Sequence, residues 1–140
     1  MFSPHKCGDY VYALFSTGRS GIYKINTGAW RESGMQVTSG QMGRETIHFE
    51  APTYEKIDTE MKDFLSWIAK DETIDDVLKA GLAHLWFITI HPFDDGNGRI
   101  ARAITDMLLA RADKTSLRFY SMSAQIQVER KYYYEILEQT

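Results

Sequence analysis

The chain has 140 residues, 44% hydrophobic, 13% aromatic and 25% charged, which suits one domain with one main core and is too apolar for a disordered chain. Its net charge of -3 excludes the dense basic surface of a general nucleic-acid binder, and its single cysteine, Cys7, excludes a disulfide scaffold and suits a reducing cytoplasm. The most apolar stretch, residues 81–90, is interrupted by His84 and falls short of the roughly 18 residues of a membrane span, and the N-terminus lacks a secretory apolar core.

Residues 1–33 are poorly patterned, with glycines at 18, 21 and 28 between short aromatic runs, and are expected to be loops with a little local structure. Residues 35–49 alternate as a β-hairpin: Met35 and Val37, then Ile47 and Phe49, around a glycine-bearing turn. Ile57, Met61, Phe64, Leu65 and Ile68 make an apolar stripe at helical spacing. A second helix is expected to start at Thr73, with Asp76 completing a capping-box-like pair, and to stop before Pro92. Its inward face is predicted as Val77, Leu78, Leu82, Leu85, Trp86 and Thr89. A third helix should begin near Asn97-Gly98 and bury Ile100, Ile104, Met107 and Leu108. A fourth should begin near Ser121 or Ser123 and carry Ile126, Tyr133 and Leu137. The fold class is therefore mainly α, with one hairpin.

The chemistry concentrates in residues 91–102, His-Pro-Phe-Asp-Asp-Gly-Asn-Gly-Arg-Ile-Ala-Arg. Gly96-Asn97-Gly98 can take left-handed conformations and direct backbone N–H groups into one concavity. That concavity lies at a helix start, where unpaired amides attract an anion. Arg99 and Arg102, three residues apart, offer forked donors that fit phosphate oxygens. Asp95 is a hard oxygen ligand for Mg²⁺ shared with phosphates, and His91 is a base that works near neutral pH. Together they describe a site for nucleotide phosphates and an attacking hydroxyl.

These twelve residues resemble the Fic motif, His-Pro-Phe-x-(Asp/Glu)-Gly-Asn-Gly-Arg-x-x-Arg, at every specified position. At a residue usage of about one in twenty, a chance match is below about 10⁻⁸. The resemblance extends to the hairpin, placed where Fic proteins carry a target-binding flap, and to residues 123–137, similar to the helix bordering their nucleotide pocket. It implies a Fic-type helical bundle over residues 34–140: flap 35–49, catalytic loop and helix 91–112, and nucleotide-bordering helix 121–140.

The implied reaction is transfer of AMP from ATP to a Ser, Thr or Tyr hydroxyl of a target protein, with Mg²⁺ and release of pyrophosphate. His91 would take the hydroxyl proton and Asp95 would hold Mg²⁺. Gly96, Asn97 and Gly98 would bind phosphates through backbone amides and the Asn amide. Arg99 and Arg102 would hold the β- and γ-phosphates, and Tyr133 and Tyr134 would flank adenine. Relatives that phosphorylate carry Lys where this chain has Gly98, which favours adenylylation. Transfer of another phosphate-containing group and an inactive Fic-like binding module remain alternatives.

The flap edge is expected to seat the target by strand addition. No Glu here sits in the inhibitory pattern (Ser/Thr)-x-x-x-Glu-(Gly/Asn), so Arg102 has no recognisable internal inhibitor. The chain is then unrestrained, restrained by a separate inhibitory protein, or separated from a missing inhibitory segment of its own; the last is the expectation, residues 14–21 resembling an internal segment of larger Fic proteins. A homodimer is left open. Among the remaining residues, Phe93 is expected in the core, Asp94 as a solvated acid, and His84 as a buried, hydrogen-bonded histidine. A metal-dependent hydrolase built on His84, His91 and Asp95 would lack a third strong ligand and leave both arginines unexplained.

Overall fold

The computed structural model describes residues 9, 11–39, 44, 46–70, 73–114 and 121–139, so the predicted hairpin turn lies mostly outside the described residues. After a helical turn at residues 11–14 come two antiparallel ladders, β1 (Arg19–Ser20) with β2 (Tyr23–Lys24), and β3 (Gln36–Ser39) with β4 (Thr46–Glu50). The helices are α1 (Ile57–Ala69), α2 (Asp76–Ile90), α3 (Asn97–Ala112), α4 (Met122–Val128) and α5 (Arg130–Gln139). The molecule is thus mainly helical with the predicted hairpin, and the N-terminal segment adds a second, two-residue ladder that the pattern does not predict. No described helix is long and apolar enough to cross a membrane.

The hairpin forms where the alternation places it, with one irregularity. Val37 pairs with Phe49 and Thr38 with Ile47, so β4 carries one extra residue in a bulge. Phe49 is half-buried while Ile47 stays exposed.

Helix α1 buries Ile57, Met61, Phe64 and Ile68, the predicted stripe. Helix α3 likewise buries Ile100, Ile104 and Leu108, with Met107 packed at the margin. Helix α2 departs from expectation twice. Its N-cap is Asp75, whose side chain accepts the amides of Val77 and Leu78, so the helix starts two residues later than a Thr73 cap implies. Its buried face is Ala80, Ala83, His84, Phe87 and Ile90, while Val77, Leu78 and Leu82 are exposed. The helix is apolar on nearly every side, so periodicity alone does not choose a face. Close packing does: Ala80 and Ala83 share one buried cluster with Ala101 of α3, where bulkier side chains would hold the helices apart. The predicted fourth helix is also two. Ser121 caps α4 as expected, but the backbone leaves helical geometry at Glu129 before α5 begins.

The N-terminal residues belong to this core. Val11 and Phe15 are buried in the cluster formed by α1, α2 and α3, and Trp30 meets the ring of Phe93 at 5.1 Å. Phe93 is fully buried, as predicted. The α2–α3 pair is therefore gripped from several sides, and the six residues between the two helices have little freedom.

Candidate active site

The loop between α2 and α3 is held at both ends. Helix α2 terminates with His91 as a left-handed C-cap, φ 48° and ψ 58°, a conformation uncommon for a residue with a side chain. Helix α3 begins after Gly96, at φ 85°. A Cβ built at Gly96 would stand 3.1 Å from the Phe15 ring, so this glycine is required twice, by its backbone and by its neighbour. Within Gly96-Asn97-Gly98 the left-handed geometry is confined to Gly96. Asn97 and Gly98 already belong to the helix, which corrects the expectation of three such residues.

Asn97 also differs from expectation. Its amide oxygen accepts from Phe93 N–H at 3.0 Å, its amide nitrogen donates to Phe93 C=O at 2.7 Å, and the residue is 2% exposed. The side chain expected at a phosphate instead locks the loop, leaving the backbone as its means of meeting an anion. Among the described residues no side chain caps the N-terminus of α3, so the first-turn amides remain the open donors there.

His91 is half-buried. Its Nδ1 lies 3.1 Å from the carbonyl of Ile88, an acceptor only, so Nδ1 carries the proton and donates. In the neutral ring Nε2 is then left with a lone pair, ready to accept a proton. Burial lowers the His91 pKa below its ordinary 6.5, and the positive charge of Arg31 pushes the same way; the Ile88 bond and Asp95 oppose them. The ring is therefore neutral near pH 7.

A cavity of about 290 Å³ opens beside it, lined by Phe49 of β4, Leu85, Ile88 and Thr89 of α2, His91, Gly98 and Arg102 of α3, and Tyr133, Tyr134, Leu137 and Glu138 of α5. Five of the predicted site residues thus converge: His91, Gly98, Arg102, Tyr133 and Tyr134. Asp95, Gly96, Asn97 and Arg99 do not line this cavity. Arg99 and Arg102 do not act as a matched pair here. Arg99 stacks over the Phe15 ring at 4.7 Å, whereas Arg102 enters the cavity wall, where its buried Nε has no hydrogen-bond partner among the described residues. A helical separation of three residues turns the second side chain by about 60°, enough to give each a different neighbour. An unpaired buried guanidinium N–H is costly unless an acceptor arrives.

His84 meets expectation as a buried, hydrogen-bonded residue. The Thr105 hydroxyl donates to Ala101 C=O at 2.9 Å, so at 3.1 Å it accepts from His84 Nδ1–H. His84 Nε2 is thereby the acceptor for the Tyr133 hydroxyl at 2.8 Å. This chain of fixed polarity seats α5, and with it the tyrosine wall, against α2 and α3.

Asp95 accepts the Gly96 amide through Oδ1 and the Ser20 hydroxyl through Oδ2. Asp94, expected as a solvated acid, accepts the amide of Asn26 at 2.8 Å. No local pattern shows that the β1–β2 segment reaches the loop, because these partners are separated by 75 and 68 residues. Arg31, fully buried beneath the flap, was equally hidden. Among the described residues no group of three or more His, Cys, Asp or Glu side chains is placed to hold a metal. One carboxylate beside a helix N-terminus does fit Mg²⁺, which keeps several waters and takes its other ligands from bound phosphates.

The Fic/DOC family model matches residues 11–109. A Protein adenylyltransferase Fic from Nematostella vectensis is 37% identical over 92 residues, 63% of this chain and 20% of that protein. Protein adenylyltransferase fic-1 of Caenorhabditis elegans is 36% identical over 55 residues, 38% of this chain and 11% of that protein. The chain thus aligns with a fifth or less of either relative's length. A crystal structure of a Fic family protein from Desulfovibrio desulfuricans G20 superposes with a TM-score of 0.71 at 25% identity, over 97% of this chain and 39% of that one. With the family pattern running through the flap, the loop and α3, this chain belongs to the Fic/DOC family.

Proposed function

We propose that the chain is a protein adenylyltransferase, moving AMP from ATP to a Ser, Thr or Tyr hydroxyl of a target protein. The observation that carries this reading is the state of His91: Nδ1–H is fixed on Ile88, and the ring lines the cavity and is held neutral by burial. The target oxygen would form the new bond to the α-phosphorus as the bond to the bridging α–β oxygen breaks. Its proton passes to His91 Nε2, and pyrophosphate departs. The first-turn amides of α3 and Arg102 would hold the phosphates, Arg102 Nε gaining the acceptor it lacks. Arg99 would reach phosphate only by leaving Phe15. Tyr133 and Tyr134, in T-shaped contact at 5.2 Å, would flank the base.

Asp95 would hold Mg²⁺, which when bound offsets phosphate charge. Gly98 supports the nucleotide pose of a transferase of AMP, since a Cβ there would already stand 3.2 Å from Arg102 Nη1. The β3–β4 ladder has two strands, which leaves outer edges on which an extended target segment can pair. Phe49 would carry that edge to the cavity rim.

The test is incubation with α-labelled ATP, Mg²⁺ and a protein extract. Label should appear on protein and fall by about 10²-fold or more in His91→Ala, the range expected for losing a general base. Absence of label with the unaltered chain, or undiminished label in the variant, overturns the reading.

A further inference from the structure

The geometry points to Arg31 as a positioning residue that sets the aim of His91 and its distance from the flap. This rests on the reading of His91 as the base for a hydroxyl delivered along the flap. Arg31 is 1% exposed. Its Nε–H donates to the carbonyl of His91 at 2.7 Å, and Nη2 donates to Pro52 C=O at 2.5 Å and Ile90 C=O at 3.4 Å. Nη1 donates to Ser33 C=O at 2.7 Å, and the Arg31 backbone N–H donates to Pro92 C=O at 2.9 Å.

Residue 31 therefore binds three consecutive carbonyls, those of residues 90, 91 and 92. These lie at the C-terminal end of α2, where carbonyls have no partner within the helix. The residue between them, His91, is in the left-handed region, a conformation that persists only where its surroundings hold it. The same guanidinium grips both feet of the flap, Ser33 ahead of β3 and Pro52 after β4. No other described side chain bonds both feet and the loop.

The chemistry of the residue suits this task. Burying a guanidinium is unfavourable unless its N–H groups are met, and a packed apolar side chain would fill such a site at lower cost. The hydrogen bonds of Arg31 go to backbone carbonyls of three separate segments, with Asp94 contributing only a longer-range attraction. A rigid planar fork can fix three segments at once, where the single ammonium of lysine cannot. The two feet of the flap and the backbone of His91 are consequently tied to one side chain.

Full-length Arg31→Gln and Arg31→Lys test the assignment, with kcat, the KM for ATP and ¹⁵N-histidine spectra as readouts. In Arg31→Gln, kcat should fall by about tenfold to a hundredfold, as small misplacements of reacting groups do, with the KM for ATP changing less than about twofold. Arg31→Lys should fall between that variant and the unaltered chain. The His91 resonances should lose their single Nδ1–H tautomer while those of His84, bound elsewhere, stay put. The spectra report on Arg31 even if the unaltered chain transfers no AMP, so failure of the catalytic reading and failure of this one are distinguishable. An unchanged His91 tautomer in a folded Arg31→Gln overturns the assignment, as does a loss confined to the KM for ATP. If neither variant folds, Arg31 serves the fold alone and the assignment falls.

Discussion

At Gly98, absence of a side chain serves two opposed ends. The position lies in the first turn of α3, where alanine would favour the helix by up to about 1 kcal/mol. A Cβ there would stand 3.2 Å from Arg102 Nη1, so the guanidinium must give way. Gly98→Ala should therefore leave the melting temperature unchanged or raised while weakening ATP binding, read by calorimetry on the same sample. Tighter ATP binding by this variant would contradict the placement of Arg102 at the phosphates. At this scale the sequence was legible in identity and less so in detail. The motif named Gly98, Arg102 and His91, and the cavity contains all three. It could not show that Asn97 turns inward to Phe93, since an amide suits a phosphate and a backbone equally well. Arg31 left no local trace, because its partners lie at residues 33, 52, 90, 91 and 92.

Helix α2 shows how far periodicity reaches. Stripes on α1 and α3 are one-sided, so the sequence fixes their inward faces. On α2 two apolar faces compete, and the outcome depends on the small residues it presents to α3. Substitution separates them. Leu78→Lys, at a side chain 63% exposed, should change stability by no more than about 0.5 kcal/mol. Phe87→Ala, at a side chain with no exposure and a ring 5.7 Å from that of Phe64, should cost about 3–5 kcal/mol. Urea unfolding of both variants checks this, and the reverse order of effects would restore the face predicted from the pattern alone.

For the whole molecule, two histidines tie the fold to pH. His84, buried, and His91, half-buried, are both held neutral, with pKa values kept below 6.5 chiefly by desolvation. Between those lowered values and 6.5 the unfolded chain binds more protons than the folded one, so stability rises with pH there and is lost as pH falls. Below the folded-state values the loss levels off. The melting temperature should thus drop on going from pH 7.5 to 5.5, and drop less in His84→Gln, which can still bond Thr105 and Tyr133. An equal drop in that variant would assign the effect to other groups. The same network explains why residues 121–139, patterned in sequence only as a helix, form a wall: Tyr133 is fastened from the far side by a histidine 49 residues away.

The left-handed turn at His91 and the glycine at 96 have a joint effect that neither has alone. They bring the C-terminal end of one helix and the N-terminal end of the next to opposite sides of a six-residue gap. The first end is electrically negative and the second positive, each worth up to about 2 kcal/mol to a suitable charge in a partly buried setting. A proton arriving on the imidazole makes a cation at the negative end, and a departing phosphate chain leaves an anion at the positive end. The backbone dipoles across the loop thus point along the charge separation that the proposed reaction creates, while the Arg31 guanidinium on the carbonyls of Ile90 and His91 offsets part of the negative end.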